Sequence, residues 1–231
     1  MNYFDRLGFI SSRSTMGSDI SLVLAVVFTS MFIYAGYLAR QGDGMVHRRV
    51  IFGSMTAMFG YFIYYYKIRR LGYVSFSDQL GMSGENSLRS ALFKPVLLLH
   101  FTIVSLSTFA SFYTVISGIR GAVSRGGKLI LEKTRLPLSR PLWIAGLVWL
   151  GLLLWWVFYW WGGVHRGDLG LTYKLMFVML GYAIPAAIAL TIHKVFPFAE
   201  ERHRFMGRLT VGLFITLLFT SIATYSLLYV F

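Results

Sequence analysis

The sequence predicts an all-α, polytopic membrane protein with six transmembrane helices. Three observations carry this. The 231 residues have a mean hydropathy of +0.63, and only 13% of them are charged, a composition few soluble domains reach. The chain contains six apolar stretches, each about 20 residues or longer, enough to cross the hydrocarbon core at 1.5 Å per residue. Its 22 lysines and arginines fall at the ends of these stretches and between them. There they set topology and meet anionic headgroups, so the formal net charge of +13 does not indicate nucleic-acid binding.

The first predicted helix runs from about Asp19 to Leu38, with Ser18 or Asp19 as N-cap and Gly42 and Gly44 as its stop. The second follows at once, from about His47 to Tyr66, and is closed by Lys67, Arg69 and Arg70. A polar loop leads to the third, from about Leu92 to Ile119, and then to the most basic connection, R-G-A-V-S-R-G-G-K-L-I-L-E-K-T-R-L-P-L-S-R-P. The fourth spans about Leu142 to Trp161 and the fifth about Thr172 to His193, with a bend at Pro185. The sixth starts in a basic collar, Arg202, Arg204 and Arg208 around His203, and runs apolar to the C-terminus. One of its faces carries His203, Gly207, Thr210, Phe214, Leu217, Ser221 and Thr224, a small and polar stripe expected to meet protein rather than lipid.

Six crossings place both termini on one side. The loops after odd-numbered helices carry 13 lysines and arginines against 9 on the other side, which predicts termini outside. The first 18 residues read as an interfacial segment, and no removable signal peptide is expected there.

The absence of cysteine excludes disulfides, thiolate metal sites, iron–sulfur clusters and covalently attached c-type haem. All nine carboxylates read as lying at helix ends or in loops, which argues against a proton-coupled transporter or a carboxylate-bridged di-iron centre. The chemistry-bearing candidates are the five histidines. His47, His193 and His203 fall near one membrane face by the parity of crossings, and His100 lies near mid-bilayer. Neutral imidazole is the usual ligand of haem iron and divalent metals, so cofactor binding is expected of His47, His100 and His203, and metal binding of these and His193. The plainer alternative is that histidines at helix ends are capping or interfacial residues; His165, in a turn, reads as solvated. His100 needs a partner at its depth, which could be a cofactor, a water, or a hydroxyl such as Tyr61, Tyr65 or Ser107. All six tryptophans fall in the fourth helix; Trp149 and Trp156 are too deep for an interfacial belt and are expected to meet a partner subunit's helix, before a quinone or a porphyrin.

Three blocks resemble the prokaryotic membrane family classed as domain of unknown function 420. They are A-G-Y-L-A-R-Q-G-D-G-M-V-H-R-R-V-I, F-K-P-V-L-L-L-H-F-T-I-V, and R-H-R-F-M-G-R-L-T through T-S-I-A-T-Y-S-L-L-Y. On that likeness His47, His100 and His203 correspond to the family's recurrent histidines. Residues 19–120 and 200–231 form a four-helix family-like core, and 121–199 add a basic loop and a tryptophan-rich helical hairpin. Ile51, Phe214 and Ser221 depart from the pattern, standing where methionine, tryptophan and glycine are usual. Some relatives are linked to maturation of haem–copper oxidases. The resemblance therefore implies a prokaryotic cytoplasmic-membrane protein handling haem or a transition metal, copper or iron, as assembly factor or subunit of a respiratory complex. A cofactor-free structural subunit and a quinone-reactive b-type cytochrome-like subunit are the other readings.

Overall fold

The computed structural model describes residues 6–69, 88–135 and 184–230. These are mostly helical: α1 (Met16–Arg40), α2 (Gly44–Arg69), α3 (Leu88–Gly121), α4 (Ile184–Val195) and α5 (Ala199–Tyr229). One short antiparallel hairpin, β1 (Ala122–Arg125) and β2 (Lys128–Leu131), is the exception to the all-α expectation. Its two-residue loop is Gly126–Gly127, with φ of 56° and 73°. Two consecutive left-handed residues make the turn that matches strand twist, and glycine adopts it without a steric cost. The fourth predicted helix, the tryptophans within it and His165 lie outside the described residues, as does most of the fifth.

Among the described residues, three helices are long and apolar enough to cross a membrane: Met16–Arg40, Ala91–Gly121 and Ala199–Tyr229. Each exceeds the roughly 30 Å needed at 1.5 Å per residue. Large apolar side chains on them are open to the surroundings, Phe219 at 67% and Ile33 at 47% for example, as a lipid-facing surface requires. The α2 helix is as long, but its glycines, serine and run of tyrosines make it less apolar.

The chain divides into two compact units. The first comprises residues up to Ser107 together with those from Val211 on, and in it α1 packs on α2. Phe32 of α1 is 2% exposed and stacks on Phe214 of α5 with ring centroids 4.1 Å apart. The α1 N-cap is Thr15, one turn earlier than Ser18 or Asp19. Ser18 instead closes a capping box, its Oγ accepting from the Thr15 amide at 3.0 Å. At the other end Gly42, at φ 83°, stops α1, whereas Gly44 already begins α2.

The carboxylate of Asp19 is inside the fold rather than at a solvated end, with the residue 0% exposed. Its Oδ2 accepts from the amides of Phe9 and Ile10 at 2.5 and 2.7 Å, and its Oδ1 accepts from the Tyr225 hydroxyl at 2.5 Å. Ser11 Oγ donates to the Tyr229 carbonyl at 2.8 Å. Gly8 has no room for a side chain: a Cβ there would lie 2.0 Å from Ser14 Oγ and 2.4 Å from Asp19 Oδ2. The segment before α1 is thus folded onto the start of α1 and the end of α5.

The second unit spans Thr108–Thr210 and holds the end of α3, the hairpin, α4 and the start of α5. Its base is tied by main-chain bonds: the Glu132 amide to the Gly121 carbonyl at 2.9 Å, and the Ala199 amide to the Thr134 carbonyl at 3.0 Å.

Candidate functional site

In the first unit, the short α1–α2 turn sets His47 one turn into α2 and beside the preceding helix. Its Nδ1 donates to the Ala35 carbonyl of α1 at 2.8 Å. His100 is half-buried on α3, one turn past Pro95, and its Nδ1 lies 3.1 Å from Thr220 Oγ1 on α5. Thr220 is buried and directs its single proton to the Leu217 carbonyl at 3.0 Å, so it accepts from His100. The hydroxyls considered from sequence are committed to other groups: Tyr61 meets Ser21 at 2.7 Å, and Ser107 donates to the Val104 carbonyl at 3.0 Å. The Tyr65 side chain lies outside the described residues.

In the second unit, His203 enters α3 where that helix has no side chain. A Cβ on Gly118 would lie 2.7 Å from His203 Cε1. The ring's Nδ1 is 3.0 Å from the Thr114 carbonyl and 3.5 Å from Ser117 Oγ. Thr210 and Thr114 share a hydroxyl contact at 3.1 Å, and Gly207 lies against the Thr114 methyl. The part of the polar stripe that falls in this unit, His203, Gly207 and Thr210, therefore faces protein. The most deeply buried ridge is displaced by one residue, to Arg202 and Met206, at 3% and 0% exposure.

His193, near the end of α4, is engaged by the Arg202 guanidinium, which donates to its ring, and the Tyr113 ring meets it edge-on at 6.3 Å. The Tyr113 hydroxyl is buried with no hydrogen-bond partner.

Each of His47, His100 and His203 thus has Nδ1 in a hydrogen bond to a group on another helix. A carbonyl or committed hydroxyl acceptor fixes Nδ1 as the protonated nitrogen and leaves the lone pair on Nε2. His47 and His100 belong to the first unit, His193 and His203 to the second. Among the described residues no three histidine or carboxylate side chains converge as a metal site.

Sequence reasoning missed three residues here. Thr220 is one position away from the polar stripe, Arg202 reads as part of a basic collar at the headgroups, and Asp19 reads as a cap. Asp19 had a usable signal, since a carboxylate one turn inside an apolar helix needs donors from elsewhere. No family model, characterised protein or solved structure matches the chain.

Proposed function

We propose that this chain is a six-span protein of the prokaryotic cytoplasmic membrane that handles haem through histidine ligands in service of a respiratory, haem–copper-oxidase-like complex. The observation that carries the reading is the anchoring of Nδ1 in His47, His100 and His203. An imidazole whose Nδ1–H is fixed by a carbonyl or hydroxyl presents Nε2 as the ligating atom, the arrangement that orients haem and metal ligands. The donor set suits haem, whose iron needs one or two imidazoles from the protein, better than a copper or iron ion, which needs three or more. Haem, when bound, would supply electron transfer or be passed on as cargo; the residues bind and orient it. His193 has a cation against its ring, which opposes ligation of a second cation.

Six crossings are favoured by the closure at the chain ends. Asp19 at the start of α1 touches Tyr225 near the end of α5, so both lie at one membrane face and the number of crossings between them is even. Three candidate spans alone are odd; α2 and a helical pair within 142–193 make six. Association with partner subunits through Trp149 and Trp156, and the domain-of-unknown-function-420 likeness, belong to the same proposal and rest on sequence.

A second reading is a cofactor-free structural subunit. It is favoured by the same three bonds, each of which ties one helix to another. An optical spectrum with metal analysis on protein purified in mild detergent separates the two. A Soret band lost in His100→Ala or His203→Ala supports haem handling. Protein without haem in a haem-replete host, with these variants losing only stability, supports the structural reading.

A further inference from the structure

Around His193 the second unit gathers a set of hydrogen-bond donors that the haem reading leaves unused. Arg202, in the first turn of α5, is 3% exposed, and its guanidinium donates to the His193 ring on α4. Of the two ring nitrogens Nδ1 is the nearer to it, with Nε2 at 3.2 Å. An imidazole that accepts at Nδ1 is neutral and carries its own proton on Nε2. Tyr113 on α3 meets the same ring edge-on at 6.3 Å, and its buried hydroxyl has no hydrogen-bond partner among the described residues. Arg120 completes the group. It follows Tyr113 by two helical turns on the same face of α3, and its charge, like that of Arg202, acts on both Tyr113 and His193.

A buried guanidinium is costly to desolvate, and a second cation acting on the same groups adds to that cost. A hydroxyl buried without an acceptor is also unfavourable. An oxyanion answers both: it accepts from the phenol and from Nε2–H, and its charge offsets that of the guanidinium groups. The depth of the site narrows the choice of anion. Arg120 is next to last in α3, His193 is two residues from the end of α4, and Arg202 lies in the basic collar at the start of α5. Both α3 and α5 are candidate spans, so their ends lie at headgroup level, where phosphate is the abundant oxyanion. Guanidinium also matches phosphate geometry, with two donors to two oxygens.

We infer that Arg202, Arg120, Tyr113 and His193 form a phosphate-binding site at the ends of α3, α4 and α5, taking the phosphate of a lipid headgroup or the same group in soluble form. Tyr113 donates to one phosphate oxygen and His193 Nε2 to another, and the two guanidinium groups supply the opposing charge.

Tyr113→Phe tests this, because it deletes one donor and keeps the ring. The whole chain is purified in a maltoside detergent and stripped until phosphorus is no longer detected. Thermal unfolding is then followed with sodium phosphate, with sodium chloride at matched ionic strength, with phosphatidylglycerol, and with diacylglycerol, which has the acyl chains and no phosphate. Stabilisation by sodium phosphate identifies a soluble source, and stabilisation by phosphatidylglycerol alone identifies the headgroup. In either case Tyr113→Phe should raise the apparent Kd about tenfold or more, and Arg120→Gln should also raise it. In chloride the sign reverses: Tyr113→Phe relieves a hydroxyl without an acceptor and should be as stable as the wild type or more so. A general salt effect stabilises both proteins alike. No stabilisation by either phosphate source, equal stabilisation of the wild type and Tyr113→Phe, or an effect of diacylglycerol as large as that of phosphatidylglycerol would each overturn the inference. None of these readouts depends on haem.

Discussion

The loop end of the first unit and the α3–α5 crossing of the second both place polar groups among apolar side chains, in different ways. At the loop end, the Asp19 carboxylate takes two amides and a phenol, and Gly8 is bare so that the loop can reach it. At the crossing, the described bonds of His203 are at Nδ1, and Gly118 is bare so that the ring can sit against the helix. A carboxylate with several donors on both oxygens is a structural knot. An imidazole whose Nδ1 is fixed on a neighbouring helix is oriented, and orientation is what a ligand needs.

The largest effect should come from the knot. Asp19→Ala leaves the Phe9 and Ile10 amides and the Tyr225 hydroxyl without their acceptor and should cost on the order of 3 kcal/mol or more. Thermal unfolding in mild detergent measures it, and a loss below about 1 kcal/mol would show that the loop end is not the stabilising region. Gly8→Ala should fall close behind, because its Cβ cannot be placed without moving Asp19 or Ser14.

Next comes Gly118→Ala. The new methyl displaces the His203 ring and should cost about 1–3 kcal/mol as overpacking. If His203 is a haem ligand, the absorption spectrum changes in the same variant; an unchanged spectrum in a destabilised protein removes His203 from the ligand set.

Thr220→Val takes away the acceptor of His100 Nδ1 and should cost about 1 kcal/mol. Haem handling predicts that it shifts the haem band while His100→Ala abolishes it, whereas a purely structural His100 makes the two variants alike. The smallest change is expected at the Thr114–Thr210 contact, where Thr210→Val should cost about 0.6 kcal/mol, the average of interhelical hydrogen bonds in membranes.

The contrast also marks what could be read from the sequence. The lengths of α1, α3 and α5 follow from apolar runs, because lipid demands continuous helix. Gly126–Gly127 between V-S-R and K-L-I-L is itself a hairpin signal, in a stretch read above only as a basic connection. His100 could be recognised as needing a partner, but Thr220 is 120 residues away and no periodicity connects them. The same holds for Asp19, whose donors come from residues 9, 10 and 225. Local pattern reports which face of a helix is polar; it does not report which distant residue will answer it.

The Asp19–Tyr225 bond joins residues 206 apart in the chain, and Ser11 with Tyr229 joins residues 218 apart. During synthesis the first helix is made long before its phenol partner exists. Until the turn of α5 that carries Tyr225 has been made, the carboxylate has the loop amides and water alone. The closure therefore forms late in synthesis, with Oδ2 engaged by neighbours in sequence and Oδ1 answered by a residue made some two hundred positions afterwards.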